Sequence, residues 1–285
     1  MALERNMAQI QDYQKQVSAE QQKLKDTLAK IKHKIAIISG KGGVGKSTVT
    51  VNLATAFAMQ GKRVGVLDAD IHGPSVPRLL GLEGQQVKTV PSGVLPVDGP
   101  LGLKVMSIDF FLPEQAPTIW RGPLKMKAIR QFLSDVAWGE LDFLFIDLPP
   151  GTGDEPLSIA QLLPDIDGVV IVTMPSELSS SIVKKAITFA QRLNMPIIGV
   201  VENMSGFICP HCGQKTEIFQ SGGGKNMAQG AGVPFLGSIP IDPEVGIDSD
   251  KGTPFVFSHK ESAAAKAFME IVKNVQEYID KNKQK

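Results

Sequence analysis

The segment Gly40-Lys41-Gly42-Gly43-Val44-Gly45-Lys46-Ser47-Thr48 constrains this chain of 285 residues more than any other. Glycines at this density, directly after an apolar run, require a backbone that turns sharply and comes close to another group. Ile35 to Ser39 reads as the preceding strand and Lys46 to Gln60 as the following helix, so the loop opens a helix N-terminus, where free N–H groups and the helix dipole favour an anion. Two templates fit at once. Gly40, Gly42 and Gly45 satisfy GxGxxG, as in dinucleotide sites, whereas Gly40, Gly45, Lys46 and Ser47 satisfy GxxxxGK followed by Ser or Thr. Asp68 and Asp70 even stand where a dinucleotide fold keeps its ribose-binding carboxylate. The residues after the third glycine decide. A nucleoside triphosphate carries β- and γ-phosphate charge that Lys46 can neutralise and a Mg²⁺ that Ser47 can ligate, and a dinucleotide needs neither. Gly40, Gly42, Gly43, Val44, Gly45, Lys46, Ser47 and Thr48 are therefore read as a P-loop for ATP with Mg²⁺.

A second carboxylate should follow a later strand to hold the metal. Phe143 to Asp147 supplies it, an apolar run ending in Asp and followed by Leu148-Pro149-Pro150-Gly151-Thr152-Gly153-Asp154, a turn suited to sensing a γ-phosphate. From Lys34 onward, short apolar runs alternate with amphipathic ones. The expected strands are Ile35–Ser39, Arg63–Asp68, Leu103–Ile108, Phe143–Asp147, Gly168–Thr173, Pro196–Val201 and Phe235–Ile239. Their apolar residues run on without alternation, as in strands buried on both faces. The expected helices are Lys46–Gln60, Leu124–Ala137, Ser179–Leu193, Lys225–Gln229 and His259–Asp280, and Lys88–Val97 suits a small hairpin. The fold class is thus α/β: a three-layer P-loop NTPase fold over residues 34–285, with a mostly parallel central sheet flanked by helices.

Residues 1–33 differ. They lack Gly and Pro and are rich in Gln, Lys and Ala, so an N-terminal helical arm is expected. Leu3, Ile10, Val17, Leu24 and Ile31 recur at an interval of seven, but Asn6, Glu20 and Thr27 interrupt the other half of a coiled-coil seam. The arm reads either as lying on its own domain or as a docking helix. Thirty Lys and Arg against 29 Asp and Glu give a net charge of +1, too balanced for gripping a nucleic-acid backbone. No apolar run reaches the roughly 20 residues that cross a bilayer, and the first residues are unlike a secretory signal. A cytoplasmic protein without nucleic-acid or membrane partners is expected.

Cys209 and Cys212 are the sole cysteines, spaced so that both thiolates can face one metal or one partner sulfur. A redox pair would leave the ATP machinery unexplained, and Gly213 follows where such pairs start a helix. Two thiolates are half a structural zinc set. A two-fold dimer would double them to four, enough for zinc or for one bridging iron–sulfur cluster, and spacing does not separate these.

Taken together, Gly40 to Ser47, Asp68-Ala-Asp-Ile-His-Gly-Pro-Ser75, Asp147 to Asp154, Val201-Glu-Asn-Met-Ser205 and Cys209-Pro-His-Cys-Gly213 resemble the Mrp/ApbC-type iron–sulfur cluster carrier ATPases, relatives of MinD, ParA and the nitrogenase iron protein. The resemblance covers about residues 34–280. It implies a homodimer in which Lys41 reaches the facing subunit's nucleotide, Lys46 binds phosphate, Asp70 positions the attacking water, Asp147 serves the Mg²⁺ and Asn203 contacts adenine. It further implies that Cys209 and Cys212 ligate a 4Fe-4S cluster passed to iron–sulfur apoproteins, with a slow ATPase as conformational switch. The rival readings are a MinD/ParA-like positioning ATPase, against which the polar Tyr278 to Lys285 tail argues, and an ATPase with a zinc-bridged dimer interface.

Overall fold

The computed structural model describes residues 2–91, 93–112, 122–151, 153–209 and 211–282; Thr152 and Pro210 of the sequence motifs lie outside these. A long helix α1 (Ala2–Leu28) leads through a two-residue turn into strand β1 (Ile31–Ser39). Ile31, the last member of the interval-seven stripe, therefore opens a strand, and β1 begins inside the stretch expected as arm. The side chains of Leu3, Ile10 and Tyr13 lie outside the described residues, and Val17 is half-buried. Among the described residues, docking is concentrated at the end of α1. Leu24 is buried, Thr27 Oγ1 donates to the Ser134 carbonyl at 3.1 Å, and Lys23 pairs with Asp135 at 2.8 Å.

After β1 come α2 (Lys46–Met59), β2 (Val64–Asp68), a short α3 (Val76–Leu79), and a hairpin of β3 (Lys88–Val90) and β4 (Gly93–Leu95). Strands β5 (Val97–Asp98) and β6 (Lys104–Met106) pair antiparallel. Then α4 (Gly122–Ser134) precedes β7 (Leu141–Asp147), α5 (Asp154–Leu162) precedes β8 (Gly168–Thr173), and α6 (Glu177–Arg192) precedes β9 (Ile197–Glu202). The chain finishes with β10 (Phe207–Ile208), β11 (Lys215–Thr216), α7 (Gly223–Gly230), β12 (Phe235–Ser238), α8 (Pro243–Asp250), α9 (Phe255–Ser258) and α10 (Ala263–Asn282). The central sheet runs β12-β9-β8-β1-β7-β2-β6-β5 and is parallel except for the edge strand β5.

Helices cover both faces, which is why β1, β2, β7 and β8 are buried almost end to end. One face packs α2, α9 and α10 through Leu53, Phe57, Phe255, Phe268 and Val272, and the other packs α4 to α7 through Ile129, Leu133, Ile159, Val183 and Met227. Phe57 sits 4.4 Å from the Phe143 ring and 5.4 Å from Phe145, so truncating it to Ala would cost about 3–5 kcal/mol.

Some expected boundaries differ, and some helices were not expected at all. The last helix starts at Ala263 rather than His259, because Ser262 Oγ accepts the Ala265 N–H and caps it there. Helix α4 stops at Ser134, since Val136 leaves to bridge Val94. Helices α5 and α8 are too short for their apolar period to show, although Asp242, which accepts the Glu244 N–H at 3.1 Å, followed by Pro243, is a helix-start signal.

Candidate functional site

The carboxyl ends of β1, β7, β2 and β9 converge, the place where open α/β sheets bind ligands. Between β1 and α2 the glycine loop places Gly43 and Gly45 at φ +76°, a left-handed conformation that suits glycine. At Gly45 space is the second constraint, because a Cβ would lie 2.3 Å from Asn203 Nδ2. The first turn of α2 then delivers Lys46 and Ser47 to Asp147. Lys46 Nζ lies 2.7 Å from Asp147 Oδ2, and Ser47 Oγ donates to the same oxygen at 2.6 Å. Thr50, one turn beyond Lys46 on the same helix face, donates to Asp147 Oδ1 at 2.6 Å. Asp147 is fully buried, so this ring of donors is what makes its charge tolerable. Thr50 was missed in the sequence, although its four-residue spacing from Lys46 carried the signal.

Asp68 is the register partner of Asp147 on β2. It too is fully buried, and burial first, then the Asp147 charge, push its pKa well above the ordinary carboxylate range. Its oxygens accept the N–H groups of Asp70, Ser75 and Val76, each at 3.1 Å, which pins the loop after β2. Asp70 is thereby left half-buried on the wall of a cavity of about 300 Å³, together with Lys41, Gly43, Lys46, Ser47 and Pro150. Burial raises the Asp70 carboxyl above its ordinary value, against the Gly73 N–H that it accepts at 3.2 Å. Among the described residues Lys41 forms no ion pair; its carbonyl accepts the Ser39 hydroxyl at 3.0 Å.

A second cavity of about 270 Å³ adjoins the first across Gly45 and Thr48 and has mostly apolar walls, including Met204, Phe219, Pro240 and Ile241. Asn203 borders it, buried, with Nδ2 donating to the Val44 carbonyl at 2.9 Å. The cysteines lie outside both cavities, on the β10–β11 hairpin that leaves β9 just after Asn203. Cys209 N–H donates to Gln214 O at 3.0 Å and Gly213 N–H donates to Cys209 O at 2.8 Å, so the tip is a tight turn and Cys209 opens no helix. Cys209 is half-buried and Cys212 exposed, and both are free thiols. The backbone N–H groups of Cys212, then His211, hold the Cys209 thiol below its ordinary pKa.

Glu202, quoted in the sequence motif without a role, ties this hairpin down. It is fully buried at the end of β9. One carboxylate oxygen accepts Ser205 Oγ at 2.5 Å and the Gly222 N–H at 3.0 Å, and the other accepts the Gly224 N–H. Both ends of the segment carrying the cysteines are therefore fastened to one side chain.

A parallel sheet whose first strand runs through a glycine loop into a lysine-serine helix start, facing a buried aspartate on the adjacent strand, defines a P-loop NTPase. Residues 30–276 match the ParA family described as the NUBPL iron-transfer P-loop NTPases, and the chain belongs to that family. It is 53% identical over 274 residues to an iron-sulfur cluster carrier protein of Methanocaldococcus jannaschii, covering 96% of this chain and 94% of that one. A nucleotide-binding protein of Archaeoglobus fulgidus, solved in complex with ADP and with Co, superposes with a TM-score of 0.76 at 45% identity, over 87% of this chain and 96% of that one. MinD in the MinC:MinD complex of Aquifex aeolicus shares the fold, with a TM-score of 0.63 at 23% identity over 86% of this chain and 96% of that one. Among the described residues no helix is long and apolar enough to cross a membrane.

Proposed function

We propose that this protein is an ATP-dependent iron–sulfur cluster carrier in the cytoplasm, in which two copies pool Cys209 and Cys212 around one 4Fe-4S cluster and deliver it to apoproteins. The observation that carries this reading is the path between the two sites. Asn203 touches the P-loop at the Val44 carbonyl, Glu202 holds both ends of the cysteine segment, and the two are neighbours on the chain. A change at the phosphate loop thus has one residue to cross before it reaches the hairpin. Nucleotide state and cluster affinity would then be linked, and the linkage would act equally in both directions.

Within the site, the oxygen donors of Ser47 and Asp147 suit a hard cation, and Mg²⁺ held there would offset phosphate charge. Lys46 would exchange its contact with Asp147 for the β- and γ-phosphates. Asp70 would orient the water that attacks the γ-phosphorus, the bond to the bridging oxygen breaking as ADP leaves. Lys41, which faces the cavity and makes no ion pair among the described residues, would reach the nucleotide of the second copy. Asn203, with Met204 and Phe219, would line the adenine site. At the hairpin, N–H donation to Cys209 favours the thiolate that iron requires, and the exposure of Cys212 leaves the cargo reachable by an acceptor.

The test is oxygen-free reconstitution with iron and sulfide. A brown dimer absorbing at about 400 nm with about four irons per pair of chains is expected, together with transfer to an apoprotein that responds to ATP. A colourless protein that takes up zinc and refuses iron would replace this reading with a zinc-bridged ATPase.

A further inference from the structure

Away from both cysteines and the phosphate loop, Glu244, Asp248 and His259 bring one ligand atom each within 4.8 Å of one another. Glu244 and Asp248 stand four residues apart on α8 and so share a face. His259 directly follows α9, where its N–H donates to the Phe255 carbonyl at 2.9 Å and its ring stacks on Phe255 at 5.0 Å and 22°, fixing the imidazole in place.

The independent observation is Asp248 itself. The residue is only 5% exposed, and its Oδ2, buried from solvent, has no hydrogen-bond partner among the described residues. His259 Nε2 is 3.0 Å from that oxygen but off a hydrogen-bonding line to it. Two donors with their lone pairs aimed at a shared ion, rather than at each other, have this relation: bonds of about 2.1 Å at angles of about 90–110° leave the donors ~3.0–3.4 Å apart. A buried carboxylate oxygen left in this state is costly, and a cation would settle it.

We propose that Glu244, Asp248 and His259 form a binding site for a borderline divalent cation of the Zn²⁺ or Co²⁺ type, with water completing the shell. The donor set selects the class, since an imidazole with two carboxylates suits such ions better than Mg²⁺ or Ca²⁺. Glu244 is exposed and Asp248 buried, so the ion enters from solvent and closes onto a fixed floor. The ion clamps α8 to the end of α9. Val245 and Ser249, on the neighbouring face of α8, line the cavity beside Gly45, and α9 is tied to α2 by the Val256 N–H donating to Asn52 Oδ1 at 2.9 Å. Its occupancy therefore stiffens one wall of the nucleotide site without touching the phosphates.

The experiment uses the full chain carrying Cys209→Ser and Cys212→Ser, which removes the thiolate ligands, with millimolar Mg²⁺ present to occupy hard-oxygen sites. Titration with CoCl₂ should show about one Co²⁺ per chain, with weak visible bands, no sulfur-to-cobalt charge transfer and displacement by Zn²⁺. Adding His259→Gln should weaken uptake about tenfold or more and abolish the rise in Tm that Zn²⁺ gives the parent. Absence of Co²⁺ uptake, leaving a plain histidine–carboxylate contact, overturns the proposal, as does uptake that His259→Gln leaves unchanged. If His259→Gln fails to fold by circular dichroism, Glu244→Ala at the exposed ligand carries the same test: weakened uptake supports the site, and unaltered affinity refutes it.

Discussion

Replacing Glu202 by Gln removes one acceptor oxygen from a buried side chain while keeping its shape, so the cost can be worked from the donors around it. The Gln amide will turn its NH₂ toward Ser205 and Ser238, whose hydroxyls lie 2.5 and 3.4 Å from the carboxylate and can rotate to accept. Gly224 keeps an acceptor, without its charge. The Gly222 N–H, now 3.0 Å from a carboxylate oxygen, would face another donor. An orphaned donor costs about 1–3 kcal/mol, and weakening the charge-assisted bond to Gly224 adds about 1 kcal/mol, so a total of about 2–4 kcal/mol is expected. Because those bonds fasten the cysteine segment, much of that loss should appear as local opening. Amide hydrogen exchange reads it directly: Gly222 and Gly224 should exchange about 30- to 1,000-fold faster, with Tm down by about 3–7 °C. Cluster retention should fall while ADP affinity holds. Unchanged exchange at these two amides would refute the claim that Glu202 anchors the hairpin.

Lys46→Ala leaves the buried Asp147 carboxylate with only its hydroxyl donors; denaturant unfolding should show a loss of about 3 kcal/mol, and ATP hydrolysis should vanish, whereas undiminished cluster transfer in ATP would contradict coupling. Cys212→Ala, at an exposed position, should change stability by less than about 0.5 kcal/mol yet abolish a stable bridging cluster, and normal iron content after anaerobic purification would reject the ligand assignment. In the reduced, metal-free protein, Cys209 should reach its half-maximal alkylation rate at a lower pH than a cysteine in an unstructured peptide, because N–H donation favours the thiolate and the reactive form persists as pH falls; a midpoint at or above that of the peptide thiol would count against those bonds.

Gly43 and Gly45 show why the phosphate loop was readable in one dimension. Their left-handed φ and the helix start that follows are properties of consecutive residues, so spacing alone announces them. The apolar runs of β1, β7 and β8 were readable for the same reason, since strands covered on both faces lose their alternation. Boundaries were not: Ile31 could as well have continued a helical stripe, and only its pairing with Leu141 makes it a strand residue.

What the chain order determined by itself was the chemistry on offer: a triphosphate loop, an aspartate after an apolar strand and two thiols three positions apart. Tertiary structure alone decided which groups meet. Lys46 and Thr50 reach Asp147 because β1 and β7 are adjacent and in register, Asp68 becomes a buried neighbour of Asp147 through β2, and Glu202 binds glycines twenty and more residues downstream. Likewise, His259 meets Asp248 only because α9 folds back against α8. Local conformation is governed by φ, ψ and side-chain periodicity, which the sequence carries in short windows; the pairing of charges depends on sheet register and layer packing, which emerge only when distant segments share a core.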